Sequence, residues 1–169
     1  MRHPSITGLR VQLGLAIVLA LAVVSTAAQA QTTHVAVLDG LQENPSISTT
    51  AIGVFIVAIA ADEQSLNTVL NYSPLEGGTV LVAHIHVARE FVNGGIVIHL
   101  CGSGGKPACP TPSGQVAAMV TAADVVEVAA QGIAAGELAE VIRAMRRGAT
   151  YVNVHSTAFP GGEIRGQIR

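Results

Sequence analysis

The sequence predicts an all-β fold, an antiparallel immunoglobulin-like β-sandwich with one short amphipathic helix. Two observations lead to this prediction. Short runs rich in Val, Ile and Thr recur about every 8 to 15 residues, separated by Gly, Pro and Asn, a spacing typical of antiparallel sandwiches and barrels rather than β-α units. One stretch alone has clear helical periodicity, and it lies before the last two strands.

The predicted strands follow the β-branched runs between the turn signals. The run at 52–60 is apolar at both alternating sets of positions, so we expect it to be a central strand. In the last run, Ile164 and Ile168 are expected to point inward, with Glu163, Arg165 and Gln167 on the opposite face. The expected strands are 33–38, 52–60, 66–73, 79–87, 96–101, 115–121, 150–155 and 163–168.

The predicted helix covers about 136–147. Its apolar residues fall at positions 0, 3, 4 and 7, which places them on one face of a helix: Leu138, Val141, Ile142 and Met145. Acidic residues lie in the first turn and arginines towards the end, which matches the helix dipole.

Residues 1–30 are predicted to be a cleavable secretory signal. Arg2 and Arg10 accompany an apolar run over 11–24, and a small-residue stretch ends in Ala28-Gln29-Ala30. The run is shorter than the roughly 20 residues of a membrane span, although an uncleaved N-terminal anchor is the alternative. The prediction is therefore an exported protein, periplasmic or secreted, with one domain over 31–169.

The charge of that domain excludes some partners. Once the two leader arginines are removed, seven Lys and Arg remain against eleven Asp and Glu, a net charge of −4 with His neutral. Nucleic acids and anionic membrane surfaces favour a basic face, so neither is expected as a partner. After the leader, no stretch is apolar and long enough for an integral membrane span, and nothing indicates an oligomeric state.

Cys101 and Cys109 are the two cysteines, and they enclose a loop rich in Gly and Pro. In an oxidising compartment such a close pair predicts a disulfide. A thiolate metal site is the alternative.

Two blocks of the sequence resemble the CHRD (chordin-type) domain family. The first is Ala83-His84-Ile85-His86 with the following 93–97 and 100–102, and the second is 148–156 running into 159–167. The resemblance covers about 35–168. It implies all-β, immunoglobulin-like modules that occur repeated in extracellular chordin and singly in exported bacterial proteins, with no general enzymatic activity. The chain has Val87-Ala88-Arg89-Glu90 where members often have Gly soon after the second His.

The histidines are the candidate site. His84 and His86 project from one face of a strand roughly 6.5–7 Å apart, a recurrent way to place two imidazoles on copper or zinc. His155 would complete a set of three if its strand is a neighbour, and Glu163 is a candidate fourth ligand or acceptor for a ligating His. The alternative is a structural polar network without metal. His99 is expected to be structural and His34 exposed.

Two functions remain open at this point. The first is a non-enzymatic exported module that binds another protein or an extracellular matrix. The second is a metal-binding, possibly redox-active protein that uses copper or zinc at His84, His86 and His155. The sequence has no Gly-x-Ser-x-Gly elbow and no glycine loop for phosphates, so no catalytic residues are assigned and enzymatic activity is not favoured.

Overall fold

The computed structural model describes residues 31–169, so the predicted signal at 1–30 lies outside the described residues and stays a prediction. Each strand begins and ends within one residue of its expected bounds. The helix begins two residues later than expected. The elements are β1 (Thr32–Asp39), β2 (Ile52–Ile59), β3 (Ser65–Tyr72), β4 (Val80–Val87), β5 (Gly95–Cys101), β6 (Gly114–Thr121), α1 (Leu138–Arg146), β7 (Thr150–Ser156) and β8 (Ile164–Gln167), with short 3-10 helices at Gly40–Gln42, Ala122–Asp124 and Ala129–Gln131.

All eight strands belong to one antiparallel sheet in the order β5-β4-β7-β8-β1-β2-β3-β6. The all-β antiparallel prediction with one helix is confirmed. The finer prediction of an immunoglobulin-like sandwich is not, because a sandwich divides its strands between two packed sheets, whereas here the hydrogen-bonded order is continuous.

The two ends of the sheet approach each other and make it nearly barrel-shaped. The chain after β6 runs against β5, where the Val126 backbone N–H donates to the Val97 carbonyl oxygen at 2.9 Å. Ile98 and Val125 form an isolated antiparallel bridge at the same place. This closure covers the edge of β5, an edge that would otherwise be open to other chains.

The core is apolar and takes one face of each strand together with one face of α1. Phe55, Leu70 and Val152 are fully buried there. The helix contributes the four residues that its periodicity predicts, all of them buried: Leu138, Val141, Ile142 and Met145. Within residues 31–169, no helix combines the length and the apolar character needed to cross a membrane.

Strand β2 is central, as expected, since it lies between β1 and β3. Its outward face is apolar as well and remains exposed. Ile56 and Val54 of β2 pair with Val35 and Val37 of β1, and Ile52 extends the row. We call these five side chains the outer apolar strip.

Strands β7 and β8 are buried on both faces. Arg165 and Gln167 alternate with Ile164 as predicted, yet they do not reach solvent. The chain between β4 and β5 covers them, because Gln167 Nε2 donates to the Ala88 carbonyl at 3.0 Å and Arg165 donates to Asn93 Oδ1 at 3.1 Å. A polar layer is therefore enclosed on the side of the sheet opposite the apolar core.

Candidate metal centre

Three histidines lie together in this polar layer. His84 and His86 are on β4 and His155 is on the neighbouring β7, in register with Val82. One ring nitrogen from each residue lies within 4.8 Å of the other two. The residues are 5%, 7% and 8% exposed. The structure thus brings together the three histidines that the sequence singled out.

Backbone carbonyls fix the tautomers of two of these rings. His86 Nδ1 donates to the Gly94 carbonyl oxygen at 3.0 Å, and His155 Nδ1 donates to the Pro160 carbonyl oxygen at 2.9 Å. A carbonyl oxygen only accepts, so in each neutral ring the proton is on Nδ1 and the lone pair is on Nε2. Both Nε2 atoms are buried and have no hydrogen-bond partner among residues 31–169.

The third ring, His84, has the opposite arrangement. Its Nε2 lies 3.1 Å from Ser103 Oγ, and its Nδ1 is buried with no hydrogen-bond partner in the described part of the chain. Each histidine therefore has one anchored nitrogen and one free buried nitrogen. This is the arrangement by which proteins orient imidazoles that bind a metal.

Burial keeps these imidazoles neutral. It lowers the pKa of His84 to about 3 and the pKa of His86 to about 4, and it also lowers the pKa of His155. The proximity of His155 depresses the pKa of His84 and of His86 further, since a second positive charge nearby disfavours protonation. A neutral imidazole is the form that binds a metal ion, so binding near neutral pH requires no net release of protons from these rings.

Aromatic stacking holds the plane of His86. The Tyr151 ring lies parallel to it, with centroids 4.6 Å apart and an interplanar angle of 3°. The Arg165 guanidinium carbon lies 3.4 Å from the Tyr151 centroid, a cation–π contact. Tyr151 thus packs between His86 and Arg165.

Glu43 is one of two buried carboxyl groups near these residues, the other being Glu163. Asn153 Nδ2 points towards its Oε1 at 3.5 Å, which is at the limit of a hydrogen bond. Burial raises the pKa of Glu43 to about 7, although the positive charge of Arg165 and the bond from Asn153 oppose this rise.

Glu163, the candidate fourth ligand or acceptor, is fully buried, but its hydrogen bonds go elsewhere. Its carboxylate accepts from the backbone N–H groups of Glu76 at 2.7 Å and Gly77 at 3.1 Å, and from the hydroxyls of Thr49 and Ser156. These bonds tie two loops to the start of β8. They give no support to a role for Glu163 at the histidines, so its assignment as a fourth ligand or as an acceptor for a ligating His stays a prediction.

A comparison with known protein families shows to which family this chain is related. The CHRD domain family matches residues 34–168, nearly all of the described chain. The chain belongs to the CHRD domain family. The resemblance seen around His84 and His155 is thereby confirmed. Searches of curated proteins and of solved structures found no match.

The remaining histidines of this CHRD domain lie in different surroundings. His99 of β5 is half-buried, and its ring centroid is 5.1 Å from that of His84. His34 was expected to be exposed, which is wrong, because β1 places its side chain in a half-buried position. Its pKa is lowered by burial and by the charge of Arg146.

The predicted disulfide partners of the CHRD domain lie at disulfide distance, with Sγ atoms 1.99 Å apart. The sequence did not reveal the groups that anchor the histidines, which are the Gly94 and Pro160 carbonyls and Ser103. Every residue has a backbone carbonyl, so no residue type marks the one that will accept such a bond. Ser103 lies in a loop whose path depends on the rest of the fold.

Proposed function

We propose that this CHRD domain binds a copper or zinc ion through His84 Nδ1, His86 Nε2 and His155 Nε2. Two observations carry the proposal: one ring nitrogen of each histidine lies within 4.8 Å of the other two, and each ring has one buried nitrogen without a hydrogen-bond partner in residues 31–169. An unpartnered buried polar atom costs about 1–3 kcal/mol. One cation would compensate all three lone pairs at once, and the neutral charge state of the rings favours this.

The distances suit a metal ion with small adjustments. Nitrogens 4.8 Å apart at most lie no more than about 2.8 Å from a common centre, whereas metal–nitrogen bonds are roughly 2.0–2.1 Å long. Each imidazole would therefore move inward by less than about 1 Å. Three protein ligands leave a fourth position for water or another ligand. A purely structural polar network explains the site less well, since it would need donors to these nitrogens.

The test is metal titration of the purified protein and of single variants. We expect one copper or zinc ion per chain, and at least tenfold weaker binding in His84→Ala, His86→Ala and His155→Ala. His34→Ala is the matched control, because it removes an imidazole from β1 outside the cluster. Unchanged binding in His84→Ala, or equal losses in the control, would refute the proposal.

A second candidate is a non-enzymatic interaction function, supported by the outer apolar strip. Val37 and Ile52 are 60% and 59% exposed, and the five side chains of the strip form a continuous row across β1 and β2. Contiguous exposed apolar rows mark interaction sites. The five side chains carry no charge, and Asp39, which pairs with Ile52, adds one acidic group at the end of the strip. The partner proposed is a second copy of this chain.

Sedimentation of the purified protein tests this candidate. We expect a dimer that dissociates on Val37→Lys or Val54→Lys, whereas Leu41→Lys, at an exposed apolar residue outside the strip, leaves it intact. A monomer at all concentrations would rule out self-association. Capture of a different protein or of matrix by the strip would also contradict this choice of partner.

A further inference from the structure

The loop between Cys101 and Cys109 places one hydroxyl between two imidazoles. Ser103 Oγ lies 3.1 Å from His84 Nε2 and 2.7 Å from His99 Nδ1. His84 is a proposed metal ligand, whereas His99 is outside the cluster of three. Ser103 therefore links the candidate metal centre to a residue that does not take part in it.

A single hydroxyl proton constrains both rings. Ser103 can donate to one imidazole nitrogen only, so the other must donate to Oγ. When His84 carries its proton on Nε2 and donates, Ser103 donates to His99 Nδ1, and the His99 proton is on Nε2. In the reverse arrangement both rings carry their protons on Nδ1. Only the first arrangement leaves a lone pair on His84 Nδ1 for a metal ion.

The loop is built to hold Ser103 in this place. Gly102 has φ +77°, and a Cβ there would overlap the Leu81 carbonyl oxygen of β4. Gly104 has φ +60°, and a Cβ there would overlap the His99 ring. The Lys106 N–H donates to the Ser103 carbonyl at 3.1 Å, and Lys106 Nζ lies 2.6 Å from Asp124 Oδ1. Both sides of Ser103 are thus fixed against neighbouring strands and loops.

We propose that Ser103 is a positioning residue that couples the tautomers of His84 and His99, and so sets His84 Nδ1 free to bind the ion. The consequence for metal affinity rests on the proposed function, but the coupling itself does not. A metal ion on His84 Nδ1 fixes the His84 proton on Nε2 and, through Ser103, the His99 proton on Nε2. From the arrangement with both protons on Nδ1, the Ser103 proton passes to His84 Nε2 and the His99 Nδ1 proton passes to Ser103 Oγ. His84 Nδ1 loses its proton to solvent and His99 Nε2 takes one up, so the number of bound protons does not change.

Nitrogen-15 NMR of the metal-free and zinc-titrated protein tests the coupling directly. In the wild type we expect His84 and His99 to show the same tautomer or the same tautomer populations, and zinc to shift both towards Nε2–H. Ser103→Ala is expected to uncouple them and to weaken zinc binding about 10–100-fold, as loss of a ligand-orienting bond does. Ser103→Thr retains the hydroxyl and is expected to restore both properties.

Ser113→Ala is the matched control, since Ser113 is the exposed residue before β6 and its replacement is expected to change neither property. Opposite tautomers of His84 and His99 in the wild type, or unchanged tautomers in Ser103→Ala, would overturn the proposal. Failure of both zinc and copper to bind the wild type would instead refute the metal function, and the metal-free spectra would still decide the coupling.

Discussion

Among single residues, Arg165 shows how this CHRD domain keeps a charge inside its sheet. The residue is 1% exposed. Its guanidinium donates to Asn93 Oδ1 at 3.1 Å and to the Val92 carbonyl at 2.8 Å, and it lies against the Tyr151 ring. The planar fork of Arg matches these separate acceptors, which a lysine ammonium cannot reproduce.

Substitution of Arg165 is therefore expected to lower the free energy of unfolding by an amount that depends on the new side chain. Arg165→Ala removes a fully buried side chain, its hydrogen bonds and its contact with Tyr151, and should lower the free energy of unfolding by about 2–5 kcal/mol. Arg165→Lys keeps the charge but loses the fork, for a loss of about 1–3 kcal/mol. Urea denaturation measures both. Arg143→Ala is the control on an exposed side chain, with an expected change below about 0.5 kcal/mol. Wild-type stability in Arg165→Lys would show that the fork is unnecessary.

The raised pKa of Glu43 predicts that the free energy of unfolding depends on pH. Its pKa is about 7 in the folded protein against an ordinary 4.5, so between these values the folded state holds the extra proton. The stability from this group is complete below pH 4.5 and is lost as the pH rises through 7. Glu43→Gln removes that loss, and the variant should gain stability relative to wild type between pH 5 and pH 8, by at most about 1.4 kcal/mol per pH unit.

Urea denaturation at each pH measures this gain. Glu127→Gln is the control, because Glu127 is exposed and should show the same stability difference from wild type at every pH. A Glu43→Gln variant that runs parallel to wild type from pH 5 to pH 8 would mean that Glu43 titrates normally.

At the scale of elements, the loop closed by Cys101 and Cys109 joins stability to the candidate site. Replacing both cysteines by Ala is expected to lower the free energy of unfolding by about 2–4 kcal/mol, because the loop is no longer closed in the unfolded chain. The same variant should bind zinc more weakly, as Ser103→Ala does, since Ser103 loses its support. Thermal unfolding and zinc titration of the folded protein measure the two effects, and undiminished zinc affinity would separate the loop from the site.

The strands and the helix were predictable because their signals are local. Alternation and turn residues fixed the bounds of β1 to β8, and the spacing of Leu138 and Met145 fixed the face of α1. The histidine cluster was predictable in part, since His84 and His86 share a face by the period of a strand. The adjacency of β4 and β7, which brings in His155, was left open, because pairing between strands distant in the chain has no local signal in the sequence.

Features set by the path of loops were not predictable. Glu163 bonds the backbone at 76–77, whose approach to β8 leaves no mark on the nearby sequence. Ser103 meets His84 because its loop turns back over β4. The continuous sheet, in place of a sandwich, depends on strand order across the whole chain, and alternation within single strands does not encode that order.

For the whole molecule, the neutral histidines predict a loss of stability in acid. The pKa values of His84 and His86 fall from 6.5 to about 3 and about 4 on folding. Their contribution is therefore complete above pH 6.5 and is lost as the pH falls towards these values, because the unfolded chain takes up protons that the folded one excludes. The raised pKa of Glu43 changes stability with pH in the opposite direction, but it is one group and the histidines are two.

The metal-free protein should therefore melt at a lower temperature at pH 5 than at pH 7.5. A zinc-loaded sample should melt higher than the metal-free one at pH 7.5, and this gain should shrink at pH 5 as protons compete for the ligands. Calorimetry at the two pH values measures both. A melting temperature that does not change between them would contradict the neutral, desolvated state of the histidines.

The burial of β7 on both faces has a consequence for the rates of amide exchange and of metal release. All seven of its residues are buried, and β4 and β8 pair with it on either side. Its amide hydrogens should exchange with deuterium only when the whole domain opens. An ion held by His155 on β7 and by its two partners on β4 would then leave through side-chain rotation rather than strand opening. Its residence time should stay constant in dilute urea, while amide exchange along β7 accelerates.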